Sequence, residues 1–170
     1  MSKLKILPYK RKRIGRTDYR KRLALLKSEK PRLVIRKGIK NIQVQIVNYE
    51  INGDLVVIGV HSNVLKKYGW TFHKGNIPSA YLTGLLCGKI AKEKKIKEAV
   101  LDLGLYTSVR GSVQYAATKG VIDAGVNVPC GEEILPEEDS INGKNISADV
   151  HKKFLEVKEK IIGGKIKNEK

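Results

Sequence analysis

Between residues 32 and 60 apolar side chains recur at every second position, the period that places residues on one face of a β-strand. The clearest run is Asn41 to Val47. There Ile42, Val44 and Ile46 face one way and Asn41, Gln43 and Gln45 the other. In Arg32 to Lys37, Leu33 and Ile35 alternate with Arg32, Val34 and Arg36. Asn52-Gly53 is a two-residue hairpin signal, which makes Leu55 to Val60 the returning strand. An antiparallel unit of three strands follows, and the rest of the chain must either pack on it or lie outside it.

Downstream the period changes. Asn76 can cap a long helix that has Pro78 in its first turn and runs to about Lys95. Its small residues Ala80, Gly84, Gly88 and Ala91 form a flat ridge. A helix-interior glycine costs roughly 1 kcal/mol relative to alanine, so the ridge predicts close approach of the sheet or of a partner backbone. A buried strand, Ala99 to Leu103, leads through the loop 104–111 into a helix from Ser112 to Ala124 that stops at Gly125. Val126 to Val128, ended by Pro129, completes a βαβ unit with a right-handed crossover. The acidic stretch Glu132, Glu133, Glu137, Glu138 and Asp139 reads as a solvated loop. Val150, Phe154, Val157 and Ile161 define the inner face of a last helix that ends at Gly163-Gly164. The predicted fold class is α/β: a mixed sheet with an antiparallel three-strand unit followed by a βαβ unit, helices packed on the sheet, and a basic N-terminal extension. The 170 residues divide into an extended basic arm (1–16), a single α/β domain (17–165) and a frayed tail (166–170).

Charge indicates what the fold is for. The formal net charge is +17, and residues 1–40 hold sixteen basic and two acidic side chains, Asp18 and Glu29. The remaining residues hold eighteen basic and fifteen acidic side chains. Like-charge crowding of this kind opposes compactness, so a polyanionic partner explains it better than a solubility tail. Within this region Thr17 or Asp18 can cap a helix whose apolar stripe, Tyr19, Leu23 and Leu26, runs beside Arg20, Lys21, Arg22 and Lys27 until Pro31 ends it.

Several chemistries lack their residues. Cys87 and Cys130 are the only cysteines and have no CxxC or Cys/His partner. No phosphate-cradling glycine loop, HExxH or GxSxG occurs, and His61, His73 and His151 fall in separate predicted elements. Asp102, on a central strand, is the one catalytic candidate, but a two-metal nuclease needs several converging carboxylates and no obvious partner is near. Neither cofactor, metal nor small-molecule substrate is expected. No segment approaches eighteen apolar residues and no secretory leader is read, so a membrane is not an expected partner and the cytoplasm is the expected location.

The residues suited to RNA are Lys10, Arg11, Lys12, Arg13 and Arg16 on the arm, Thr17, Tyr19, Arg20 and Arg22 on the first helix, and Arg32, Arg36 and Lys37 on the first strand. Asn41, Gln43 and Gln45 form a row of amides that suits base edges and sugar hydroxyls, or is simply a wet sheet face. In residues 61–76, Lys66, Lys67 and Lys74 are interleaved with Tyr68, Trp70 and Phe72, the composition that base stacking plus phosphate contact requires. Phe72 is expected in the core, whereas Trp70 suits either role. Lys74 and Asn76 complete the candidate set.

The run Thr17-Asp18-Tyr19 through Arg20, Arg22, Leu25 and Leu26 to Pro31-Arg32-Leu33-Val34 resembles the archaeal and eukaryotic form of the large-subunit ribosomal protein family that binds 5S ribosomal RNA, the eighteenth in the bacterial large-subunit scheme. Tyr68-Gly69-Trp70, residues 75–86 and 98–105, Gly120, Asp123-Ala124-Gly125 and Pro129 continue the resemblance in one register over roughly residues 5 to 165. It implies a non-catalytic α/β domain that binds 5S rRNA and helps seat it in the central protuberance. The implied partners are 5S rRNA, the large-subunit rRNA and neighbouring ribosomal proteins. Family RNA contacts transfer first to the arm and first helix, then to Arg36, Lys37 and the amides. Many relatives have His where this chain has Cys130, so no contact is transferred there. Without the long carboxy-terminal extension of the eukaryotic relatives, the chain is expected to be of archaeal type. The alternative reading is another RNA binder, such as an RNA chaperone or a transfer-RNA-binding module.

Overall fold

The computed structural model describes residues 7–164. The frayed tail read at 166–170 lies outside them, as does the first part of the arm. The sheet has four strands in the order β3-β2-β1-β4. β1 (Arg32–Lys37), β2 (Ile42–Glu50) and β3 (Gly53–His61) form the antiparallel unit, and β4 (Val100–Asp102) pairs parallel to β1. Leu33, Ile35, Ile42, Val44, Ile46, Ile58 and Val60 share one buried face, as the alternation requires.

That face is covered by α3 (Ile77–Glu93), α4 (Val113–Asp123) and, outside α3, α6 (Ala148–Gly163). Asn76 caps α3 by accepting from Ser79 N at 3.1 Å, and Ser147 caps α6 by accepting from Val150 N at 3.3 Å. Val150, Phe154, Val157 and Ile161 are buried, as their spacing predicts. Lys89 of α3 reaches the C-terminal end of α6 and donates to the carbonyls of Ile161, at 2.8 Å, and Ile162, at 3.0 Å, which satisfies acceptors that the helix leaves open.

The glycine ridge of α3 faces a helix, not the sheet. A Cβ on Gly84 would stand 2.0 Å from Ala117 O, and one on Gly120 of α4 would stand 2.2 Å from Tyr81 O. The two helix backbones therefore touch through reciprocal glycines, which explains why α3 tolerates residues that weaken it locally.

Other elements differ from expectation. The hairpin is centred one residue early, on Ile51-Asn52, with Gly53 already paired to Glu50 at a φ of 149° that a side chain would disfavour. A bulge between Ile46 and Val47 leaves β3 one residue out of simple alternation, so Val47 pairs with Val56 and Tyr49 with Asp54. The first residues of β3 are thereby turned to the opposite face, Asp54 among them. The returning strand at Val126 to Val128 is a single parallel bridge, Asn127 to Glu98, although Val126 and Val128 are buried. The acidic loop contains a 3-10 turn (Glu132–Ile134) and the short α5 (Glu138–Ile141), which buries Ile141. Lys10 to Arg13 of the arm form one helical turn, α1, and are not extended. Asp18 caps α2 (Tyr19–Leu26) as read, but Leu23 of its apolar stripe is exposed.

Gly84→Ala and Gly120→Ala should each lower stability by about 2–3 kcal/mol, or roughly 5–10 °C in the melting temperature of a chain this size, despite the better helix propensity of alanine. Gly163→Ala, with nothing within 4 Å of its added carbon, should leave the melt unchanged or raise it slightly. Circular dichroism melts check both.

Candidate nucleic-acid interface

The helices cover one face of the sheet and leave the other to the N-terminal segment. A groove of about 1150 Å³ runs between that segment and the open face. Arg11, Arg16, Lys21 and Arg22 line one wall, the loop Leu103 to Ser108 lines the other, and Arg32, Val34, Arg36, Gln45 and Val47 form the floor.

A chain of alternating charges holds the floor together. Arg22 makes a bidentate pair with Asp54 at 2.9 and 2.8 Å, which fixes α2 to β3 across the hairpin end of the sheet. Arg32 stands between two carboxylates, with Nη2 2.7 Å from Asp54 Oδ2 and Nη1 2.8 Å from Asp102 Oδ2. The Asp54 contact is a charge contact outside hydrogen-bond alignment, and among the described residues Arg32 Nε has no acceptor. Arg36 donates to Asp102 O at 2.8 Å and its other nitrogen lies 3.2 Å from Asp102 Oδ1. Gly104, at a φ of 65°, leaves room for that guanidinium, since a Cβ would come within 2.9 Å of it. Arg22 first and Arg32 second, against the opposing cost of burial, hold the Asp54 carboxyl down at about 2.

This arrangement sorts the sequence candidates. Lys10, Arg11, Lys12, Arg13, Arg16 and Arg20 are exposed, and Arg11 Nε donates to Thr17 Oγ1 at 2.9 Å, which braces the turn of α1 against the start of α2. Tyr9 and Tyr19 pack their rings 5.2 Å apart at the same joint. Arg22 is committed to Asp54. Arg36 is committed to Asp102 but remains 40% exposed, so it reaches both. Lys37 is exposed at the end of β1, and its carbonyl accepts from the Tyr106 hydroxyl. Gln45 lies on the groove floor, whereas Gln43 and Asn41 line a separate hollow at the β1–β2 turn.

Four candidates change role. Arg32 is 3% exposed and belongs to the floor, where burial without its carboxylates would be costly, so it is not a contact residue. Trp70 is 2% exposed, donates from Nε1 to His73 O at 3.2 Å and meets Phe72 edge-on at 5.7 Å. It is a core anchor, not a stacking platform. Tyr68 is half-buried against the same core. The Asn76 amide oxygen is used as the cap of α3. Asp102 has both oxygens paired with guanidinium groups, and among the described residues no group of three or more His, Cys, Asp or Glu side chains is placed to hold a metal ion. Lys21 and Tyr106 also line or border the groove and were not among the sequence candidates; for Lys21 its neighbours Arg20 and Arg22 were the available signal.

Because the folded pKa of Asp54 lies below the ordinary 3.8, its pairing stabilises the protein fully above about pH 4 and is lost as pH falls toward 2. After allowance for solvent screening at this partly exposed pair, the loss should be about 1 kcal/mol. Urea unfolding midpoints measured across this window should fall for the wild type and stay flatter for Asp54→Asn.

Residues 5–95, which span the arm, the three antiparallel strands and α3, match the family described as ribosomal large subunit proteins 60S L5 and 50S L18. The large ribosomal subunit protein uL18 of Methanococcus maripaludis is 46% identical over 140 residues, which cover 82% of this chain and 72% of that protein. The groove and its charged floor are thus those of a large-subunit ribosomal protein, and the chain belongs to the L5/L18 family, in its archaeal form.

Proposed function

We propose that this large-subunit ribosomal protein binds 5S rRNA in the groove between its N-terminal segment and the open sheet face, and helps attach that RNA to the large rRNA in the central protuberance beside neighbouring ribosomal proteins. The observation that carries the proposal is the division of labour among the cations. Arg22 and Arg32 are spent on Asp54 and Asp102, so they tie the wall of the groove to its floor. Lys10, Arg11, Lys12, Arg13, Arg16 and Arg20 stand exposed along the N-terminal segment, and Arg36 and Gln45 look up from the floor. Exposed arginines on a positioned segment suit phosphates, and Gln45 adds a donor and an acceptor at the centre.

The role is structural. The matched relatives are ribosomal proteins, and the groove presents cations for a polyanion with its central carboxylate neutralised. A large-subunit protein works in the cytoplasm, where the particle works.

The proposal is tested by competition. Full-length protein should prefer 5S rRNA to transfer RNA at about 150 mM salt, and equal affinity would sink the 5S reading in favour of a general RNA binder. Replacing Arg11, Lys12 and Arg13 by Gln should weaken binding and flatten its salt dependence by about 2 slope units, at 0.7 to 0.9 per lost phosphate contact. An unchanged slope would show that the arm is not the grip.

A further inference from the structure

The groove does not hold all of the concentrated positive charge. At the end of β3 the chain enters a 3-10 helix, Ser62–Tyr68, which ends at Gly69 with a φ of 92° and so turns Trp70 into the core. Lys66 projects from this helix and is exposed. Lys74 Nζ donates to Asn63 Oδ1 at 2.8 Å. Desolvation, and then the Lys66 ammonium beside it, hold the Lys74 pKa below the ordinary lysine value. From the other side α6 lays two more lysines over the same turn. A Cβ on Gly69 would lie 3.8 Å from Lys153 Cε and 3.8 Å from Lys160 Nζ. Glu156 pairs with Lys153 at 2.8 Å and is the carboxylate set among them.

Folding therefore brings two lysines of α6 over Gly69, at the end of the 3-10 helix that carries Lys66, and sets Lys74 close enough to Lys66 for the two ammonium groups to interact. Such convergence of like charge stabilises nothing by itself and points to an anion. The surface is also continuous with the groove side. A Cβ on Gly75 would meet Ile39 O at 3.2 Å and Lys40 C at 3.3 Å, so the segment bearing Lys74 is packed directly on the β1–β2 turn. Arg36, Lys37, Lys40 and His61 surround the hollow at that turn, and Arg36 also lines the groove.

We infer that the RNA-binding surface does not stop at the groove but runs round this end of the sheet onto the helical layer, where Lys66, Lys74, Lys153 and Lys160 take the phosphodiester backbone of the RNA. The inference rests on the reading of the protein as an RNA binder. Lysines take phosphates without base preference, so this part of the surface positions RNA and leaves sequence to other contacts. The sequence placed RNA contact in this region on Tyr68 and Trp70 as stacking rings, with Lys74 and Asn76 beside them. The structure divides these roles: the aromatic rings pack on the core and anchor the segment, which leaves the flanking lysines, joined by two from α6, as the cations of this surface.

The test compares two triple variants of the full chain, K66Q/K74Q/K160Q and K92Q/K95Q/K97Q. Both remove the same charge, the second at the exposed end of α3 away from the proposed track. Binding is followed by fluorescence anisotropy against salt, with 5S rRNA and with a labelled oligouridylate. The first variant should lose about 2 to 3 units of salt slope and the second less than about half a unit. Equal slopes for the first variant and the wild type would overturn the inference, and so would equal losses in the two variants. Lys66→Gln alone, which should remove about one unit, decides the matter if the triple variant is unstable. Equal wild-type affinity for 5S and transfer RNA would sink the 5S reading alone, because the difference between variants is still read on whichever RNA binds.

Discussion

The open face of the sheet depends on Arg32. It sits in the edge-to-edge middle of the strands, 3% exposed, between Asp54 and Asp102, and each carboxylate in turn holds a second arginine. A buried guanidinium is tolerated only with its charge matched, so the position of both aspartates is set by it. Through Asp54 it fixes Arg22 and with it α2; through Asp102 it fixes Arg36. The wall and floor of the groove are therefore one electrostatic unit, and a protein with an excess of cations keeps this part of itself nearly neutral.

Backbone geometry makes that unit possible. The bulge at Ile46 and Val47 rotates the start of β3, which brings Asp54 to the side where Arg22 and Arg32 can reach it. On the opposite face Gly84 and Gly120 let α3 and α4 meet backbone to backbone, and α6 docks on α3. With that layer settled, α6 and the 3-10 helix meet over Gly69. One face thus carries a groove and the other a cluster of lysines, and the segment bearing Lys74 packs on the β1–β2 turn between them.

Much of the fold was legible because it rests on local periodicity. Ile42, Val44 and Ile46 declared β2, Asn76 and Pro78 declared the start of α3, and Val150, Phe154, Val157 and Ile161 declared the inner face of α6. The bulge was not legible, since Val56 and Val57 satisfy either face equally well by composition. The target of the glycine ridge was not legible either, because a ridge of small residues records close approach without saying to what.

For the site, the sequence by itself pointed to a polyanionic partner, because charge is a sum over residues and needs no fold, and its motifs pointed to the family. Only the tertiary structure decided which cations are available. Arg20 and Arg22 look alike in the sequence, yet Arg20 is exposed and Arg22 is held by Asp54, thirty-two residues away. Trp70 and Lys74 lie in one basic-aromatic run, yet one is core and the other surface. The physical reason is the same in each case: burial and ion pairing are made between residues distant in the chain, and a side chain's availability is whatever those contacts leave over.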